Sequence, residues 1–227
     1  MTTDNKPTLA ILGGTGDLGT GLAQRWAQAG YRVIIGSRSL EKAQAAVDDL
    51  HEVMAERGVG GVEVAAMDNL AAAETAEIVT LTVPFSHQAS TLEAVKPALQ
   101  GKILIDVTVP LMPPKVGRVQ LPEAGSAGQI AQDLLGEDVH VVSAFQNVPA
   151  TALQQAAPPD CDVLVCGNSR EAREAVIELV EAAGMRGFHA GMIDNAAAAE
   201  ALTSVLIVIN KQYKCHAGIR ITGTDEH

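Results

Sequence analysis

The sequence predicts an α/β protein: a Rossmann-type doubly wound parallel sheet with a small C-terminal α/β domain. Three observations carry that expectation. Short apolar runs alternate with segments of helical periodicity along most of the chain. The first run, starting at Leu9, leads into Gly14-x-Gly16-x-x-Gly19, after which Leu18, Leu22, Ala23 and Trp26 recur at helical spacing. Hydrophobic residues make up 47% of the chain and aromatics only 3%, so the core must be built from Ala, Val, Leu and Ile. Those residues suit strands covered on both faces. A chain of 227 residues has room for one full α/β unit and a smaller second one. The division is expected at residues 8–147 and 148–227, since the chain changes character after Asn147-Val148-Pro149.

The elements follow in order. Met1 to Pro7 is polar and expected to fray. The strand–glycine–helix run next to it is the context of the dinucleotide fingerprint. Gly14 serves a tight turn, Gly16 lets a pyrophosphate approach the backbone, and Gly19 lets helix and strand pack closely. The helix start then offers free N–H groups and a positive dipole end to the phosphates. Further strands are predicted over 31–35, 62–66 and 78–83, with a short Ala-rich helix over 69–77. Pro84 breaks the fourth strand, and Ser86 is placed to cap the helix that runs to Leu99. A fifth strand falls at 102–107. The segment 110–124, with Pro110, Pro113, Pro114 and Pro122, reads as an ordered excursion. A helix over 126–135 and a sixth strand over 139–144 complete the first unit. The second contains strands at 162–166 and 187–190, a helix at 170–183 and a long helix from 194 to about 213.

The end of the second strand selects the nucleotide. An NAD site usually carries Asp or Glu there, accepting from the ribose 2′-hydroxyl. This chain has Ser37 and Arg38, with Lys42 one helical turn on. A guanidinium holds a 2′-phosphate bidentately, and a hydroxyl donates to it. Cations beside a helix N-terminus oppose its dipole, so a bound anion explains Arg38 and Lys42 better than solvation does. Thr15 adds a hydroxyl from the glycine loop. NADP(H) is therefore expected over NAD.

The remaining composition narrows the partners. A net charge of −11 argues against nucleic acid or an anionic membrane surface. The apolar stretch 202–209 is too short to cross a bilayer, and no signal peptide opens the chain. Cys161, Cys166 and Cys215 indicate a reducing, cytoplasmic setting. They lack the Cys-x-x-Cys spacing of a redox or zinc pair. The six histidines show no metal-ligand spacing, so no metal is expected. Ligands of doubly wound sheets sit beyond the carboxyl ends of the strands, where 82–87, 106–110 and 143–149 should converge. Val83 and Pro84 offer a rigid apolar wall for a flat ring. His87 is open to three roles: general acid or base, polar contact to the nucleotide, or plain surface residue. No nucleophile–base grouping or paired carboxylates suggest a catalytic residue, and hydride transfer needs none.

The run Leu12-Gly-Gly-Thr-Gly-Asp-Leu-Gly-Thr-Gly-Leu-Ala23, the segment Ile35-Gly-Ser-Arg38 with Lys42, and Leu81-Thr-Val-Pro-Phe-Ser-His87 resemble the NADPH-dependent coenzyme F420 reductases. So do Val141-Val-Ser-Ala-Phe145, Asp162-Val-Leu-Val-Cys-Gly167 and the tail from Glu200-Ala-Leu-Thr to Tyr213-Lys-Cys-His-Ala-Gly-Ile-Arg-Ile-Thr-Gly223. The likeness spans nearly the whole chain, and the tail is its most distinctive part. It implies hydride transfer between nicotinamide C4 of NADPH and C5 of the deazaflavin F420, in either direction. It also implies a homodimer with the deazaflavin in a cleft completed by the C-terminal unit. Thr15, Ser37, Arg38 and Lys42 would hold the 2′-phosphate, and Gly14, Gly16, Asp17 and Leu18 would line the pyrophosphate. Val83, Pro84 and His87 would lie near the nicotinamide. After Ser143-Ala-Phe145 many family members carry His beside the deazaflavin, whereas this chain has Gln146, which cannot become cationic near neutrality.

Lys211, Lys214, His216 and Arg220 form a basic patch. It suits an anionic substrate tail, and two of its lysines equally suit a helix C-terminus. The stretch 202–209 is apolar nearly all round, so it belongs in a core or at a subunit interface. Two other functions fit the nucleotide fingerprint. One is an NADPH-dependent imine or ketone reductase with His87 or Lys211 as acid. The other is a non-enzymatic NADPH-sensing module.

Overall fold

The computed structural model describes residues 6–224; residues 1–5, most of the polar opening segment, and 225–227, with His227, lie outside the described residues. Six strands, β1 (Leu9–Leu12), β2 (Val33–Ser37), β3 (Val64–Asp68), β4 (Ile78–Leu81), β5 (Ile103–Asp106) and β6 (His140–Ser143), run parallel. β7 (Asp162–Gly167) joins β6 antiparallel, and β8 (Arg186–His189) joins β7 parallel. The order across the sheet is β3-β2-β1-β4-β5-β6-β7-β8. Helices α1 (Asp17–Gln28), α2 (Leu40–Glu56), α3 (Asn69–Thr75), α4 (Phe85–Leu99), α5 (Ala127–Leu135), α6 (Ala150–Leu153), α7 (Arg170–Ala182) and α8 (Ala196–Tyr213) cover its faces.

Strand alternation divides the core into two layers. Leu9 and Ile11 of β1 pack with Leu22 and Trp26 of α1, Leu50 of α2 and Leu179 of α7. Ala10 and Leu12 face the other way, toward Ala72 of α3, Leu92 of α4 and Leu135 of α5. Aliphatic side chains build both layers, with many alanines among the leucines and valines. Trp26 is the one tryptophan of the chain. It meets Phe145 edge-on at 6.0 Å, and its Nε1 donates to the Leu179 carbonyl at 2.8 Å, giving the indole a polar partner in a dry layer. Cys161 and Cys166 are buried on opposite faces of the sheet, and Cys215 is exposed; none is paired.

Several expectations change in detail. The strands beyond residue 147, β7 and β8, extend the main sheet, with β7 reversed. α6 is a single turn that periodicity could not reveal. Ser86 does not cap α4. Pro84 occupies the cap position and the helix opens at Phe85, leaving Ser86 exposed within the first turn. The fixed φ of proline places that boundary two residues earlier than the hydroxyl suggested. The segment from Ile193 to Tyr213 is also long and apolar enough to cross a bilayer by length and composition, contrary to the short stretch read from sequence. Its first half is committed to the protein, since Ala196, Ala199 and the carboxylate-bearing Glu200 are buried against the sheet layer.

Candidate functional site

The β1–α1 turn is shaped by contacts that exclude side chains. Gly13 carries the positive φ, +69°, so the tight turn sits one residue before Gly14, where the fingerprint had placed it. A Cβ on Gly14 would stand 2.7 Å from the Ile11 carbonyl oxygen, and one on Gly19 would stand 2.6 Å from Gly14 Cα. These two glycines seat α1 against the strand. Around Gly16 nothing lies within 4 Å of a built Cβ. The backbone there is open to a ligand, and no side chain caps the start of α1, which leaves its first N–H groups for an anion.

Beside this turn lies a cavity of about 580 Å³, within the range of nucleotide sites. It gathers Thr15, Gly16, Ser37, Arg38, Lys42, Val83, Pro84 and His87, joined by Gly13, Ser39, Asn69, Thr82 and Thr91. No carboxylate lines it, in a chain with 27 Asp and Glu. Arg38 and Lys42 are exposed, and among the described residues neither side chain has a hydrogen bond or ion pair. Ser37 is buried at the end of β2, its Oγ accepting from Ser39 N at 3.2 Å. Ser39 caps α2 by accepting from Lys42 N, which fixes the lysine on the rim. A donor-rich pocket without acids selects a multiply charged anion.

The other predicted residues fall elsewhere. Gly14 is buried beneath the turn and Leu18 is half-buried behind it. Asp17 opens α1, but its residue lines a neighbouring groove of about 640 Å³ between α1 and α2, together with Asp49 and Arg57. The groove shares Thr15 and Lys42 with the first cavity. Lys211 lines neither cavity, and Arg220 of the basic patch is paired with Asp160.

Gln146 also stands outside that cavity, on the turn after β6. Phe145 before it has φ +71°, an uncommon conformation for a bulky residue. The turn is held from three sides. Gln146 Nε2 donates to the Asp106 carbonyl at 2.8 Å and Ser143 Oγ at 2.9 Å. Thr203 of α8 donates to the Gln146 carbonyl, and Asn147 Nδ2 donates to the Ala199 carbonyl. Gln146 Oε1 is buried without a protein partner.

Behind the strand ends lies a polar network that the sequence did not announce. Gln88 of α4 donates to Asp106 Oδ2 and to the Ala127 carbonyl. Burial raises the Asp106 carboxyl, with bonds from Thr108 and Gln88 opposing the rise. Glu200 reaches from α8 to accept from Ala127 N at 2.7 Å and Gly128 N at 3.0 Å, holding the start of α5. Burial pushes its carboxyl up to about 8; the two N–H bonds pull it down and Asp106 adds to the rise. Asp106 and Glu200 were visible only as polar residues in apolar surroundings, a signal shared by many surface positions.

A glycine turn feeding an uncapped helix, beside an acid-free pocket with two unpaired cations, defines an NADP-type dinucleotide-binding Rossmann protein. Comparison with known proteins agrees. Residues 8–110 match the family model described as NADP oxidoreductase, coenzyme F420-dependent. An F420-dependent NADP reductase of Methanothermobacter marburgensis is 42% identical over 225 residues, covering 96% of this chain and 99% of that protein. The enzyme of that name from Methanocaldococcus jannaschii is 40% identical over 223 residues, with the same coverage. A crystal structure from Arthrobacter sp. FB24, assigned as an F420-dependent NADP-reductase, superposes with a TM-score of 0.77 at 27% identity, covering 96% of this chain and 100% of that one. The chain belongs to the F420-dependent NADP reductase family.

Proposed function

We propose that the protein transfers a hydride between NADPH and coenzyme F420, reversibly, and that its own residues act by positioning the two substrates. The observation that carries this reading is the end-to-end identity to F420-dependent NADP reductases, combined with the acid-free cation pocket. NADPH supplies the hydride from nicotinamide C4, and the deazaflavin accepts it at C5.

In this reading Thr15, Ser37, Arg38 and Lys42 hold the 2′-phosphate. The backbone of Gly14, Gly16, Asp17 and Leu18 faces the pyrophosphate, drawing on the helix dipole. Val83 and Pro84 form one wall of the nucleotide cavity, and His87 makes a polar contact with the cofactor. Gln146 faces the second ring. Its Nε2 is committed to two acceptors and its Oε1 is buried, so in this reading its part is to hold the turn after β6 in place beside the ring. The imine or ketone reading needs an acid in the cleft. Of its two candidates, Lys211 is exposed and lines neither cavity near the glycine loop, while His87 does line the nucleotide cavity; it is the likeness to F420-dependent NADP reductases over 96% of the chain that favours the deazaflavin.

The region 148–227 completes the deazaflavin cleft and the dimer in this reading. Supporting it, Val205, Val208 and Tyr213 of α8 are exposed, as are Met112, Val119 and Leu121 of the proline-rich segment. That segment packs on α8, with Ser204 Oγ donating to the Arg118 carbonyl and Gly117 lying against Val208. A patch of this kind fits a second copy of the chain, and sedimentation at micromolar concentration should give twice the chain mass of 23.6 kDa. A monomer would remove that part of the proposal. Three unpaired cysteines suit a cytoplasmic setting.

An anaerobic assay with NADPH and oxidised F420 tests the activity. Enzyme-dependent bleaching of the deazaflavin's visible absorbance, strongly favouring NADPH over NADH, is the expected outcome. Tight NADPH binding without bleaching would refute the assignment of the second substrate.

A further inference from the structure

We propose that Asn69 is a specificity-determining residue of the nucleotide site, donating from its side-chain amide to the 2′-phosphate end of NADP(H). The inference rests on the NADP reading of the cavity and adds a residue that the glycine fingerprint and the Ser37–Arg38 signal do not include. Asn69 opens α3, with Asp68 capping the helix before it. It lines the same cavity as Ser37, Arg38 and Lys42.

Its amide has a defined polarity. The Gly13 N–H, which can only donate, points at Asn69 Oδ1 at 3.4 Å. The oxygen therefore faces the glycine loop and the nitrogen is turned away from it. The oxygen also lies 3.0 Å from where a Cβ on Gly36 would stand, so the absence of a side chain at the end of β2 is what admits Asn69. Among the described residues no acceptor meets Nδ2. Asn69 thus ties the loop that receives the pyrophosphate to the strand end that receives the ribose, and leaves one N–H pair for the ligand. In a pocket whose other polar side chains are hydroxyls, two cations and one histidine, that pair completes a donor set for a phosphate.

Asn69→Asp is the discriminating substitution. It keeps the shape and the oxygen facing Gly13, but exchanges the donor for a negative oxygen in a pocket that holds no other carboxylate. Dissociation constants for NADPH and NADH are measured on the protein alone by fluorescence titration. NADPH should weaken by about tenfold or more, while NADH changes by less than about twofold, because a carboxylate can accept from a free 2′-hydroxyl. Asn69→Ala guards against a folding artefact. It loses the Gly13 contact for both nucleotides alike, so the NADH-to-NADPH ratio of constants isolates the lost donor and should fall several-fold. An unchanged ratio in both variants, with thermal unfolding like that of the parent, would overturn the proposal. So would equal weakening of both nucleotides by Asn69→Asp, which is the signature of a purely structural loop contact.

Discussion

Gly16 and Gly19 stand three residues apart in one fingerprint, yet the structure gives them opposite physical roles. Alanine at each should separate the two. At Gly19 the new Cβ would lie 2.6 Å from Gly14 Cα and 2.9 Å from both Gly14 C and O. These are backbone atoms that cannot rotate away, and ordinary contact requires most of an ångström more. Alanine gains about 1 kcal/mol of helix propensity over glycine, whereas overpacking of this kind costs about 1–3 kcal/mol or more. The clash wins where backbone atoms cannot yield, and a net loss of up to about 2 kcal/mol lowers Tm by up to roughly 8 °C in a chain of this size. At Gly16, φ is −91° and no atom lies within 4 Å of the built Cβ, so the free protein accommodates the methyl. Only the helix-cap preference is lost, about 0.5–1 kcal/mol. The methyl instead occupies the approach of the pyrophosphate, weakening NADPH and NADH alike by about 10- to 100-fold. Thermal unfolding and nucleotide titration on the two variants are the assay. A Gly16→Ala protein that binds NADPH as the parent does, or that unfolds at lower temperature than Gly19→Ala, would refute the reasoning.

Arg38→Ala should weaken NADPH by about tenfold or more and leave NADH nearly unchanged; Lys42→Ala should act with the same sign and less force, since an ammonium lacks the bidentate fork. Equal losses for both nucleotides would show that neither cation meets the 2′-phosphate. Glu200 makes a pH prediction. Its carboxyl is raised from 4.5 to about 8 in the fold, so the native state holds the proton more tightly than the unfolded chain does. Its contribution is therefore fullest below about 4.5 and is lost as pH climbs toward 8. Relative to the parent, Glu200→Gln should gain stability between pH 5 and pH 8, by up to a few kcal/mol. Parallel Tm-against-pH curves would contradict the buried, proton-holding carboxyl.

The fold was legible wherever one strand or helix obeyed a local rule. The run from Leu9 into Gly14-x-Gly16-x-x-Gly19 is one case, and the helix expected over 126–135, found as α5 with Ser126 as its cap, is another. What escaped depends on partners distant in sequence. The reversal of β7 is set by its pairing of Val142 with Gly167 and Ser143 with Cys166, which no local pattern encodes. α6 is a single turn whose purpose shows only from Arg25. That buried guanidinium donates to the carbonyls of Leu153, Gln155, Ala156 and Ala157. With these four neutral acceptors as its partners, burial lowers its affinity for the proton, and Arg57 lowers it further. A sequence reader sees a polar residue on α1 and has no reason to bury it. The site divides in the same way. Arg38 and Lys42 announce themselves by opposing a helix dipole, whereas Asn69 becomes visible only once Gly13 and Gly36 are placed beside it.

The charge of the molecule then reads differently from its sum. A protein of net charge −11 that binds a phosphorylated dinucleotide must win the contest locally, and screening makes that feasible. Fields from exposed acids fade over about 8 Å at physiological ionic strength, so what matters is which carboxylates stand within that distance. Asp17 and Asp49 line the groove between α1 and α2, and the nucleotide cavity contains none. Lys42 and Thr15 border both spaces. Lys42 thus borders a space that holds two acids, while Arg38 lines only the acid-free side. That asymmetry, added to the better geometry of a guanidinium, is why Arg38 is expected to dominate recognition of the 2′-phosphate and Lys42 to assist it.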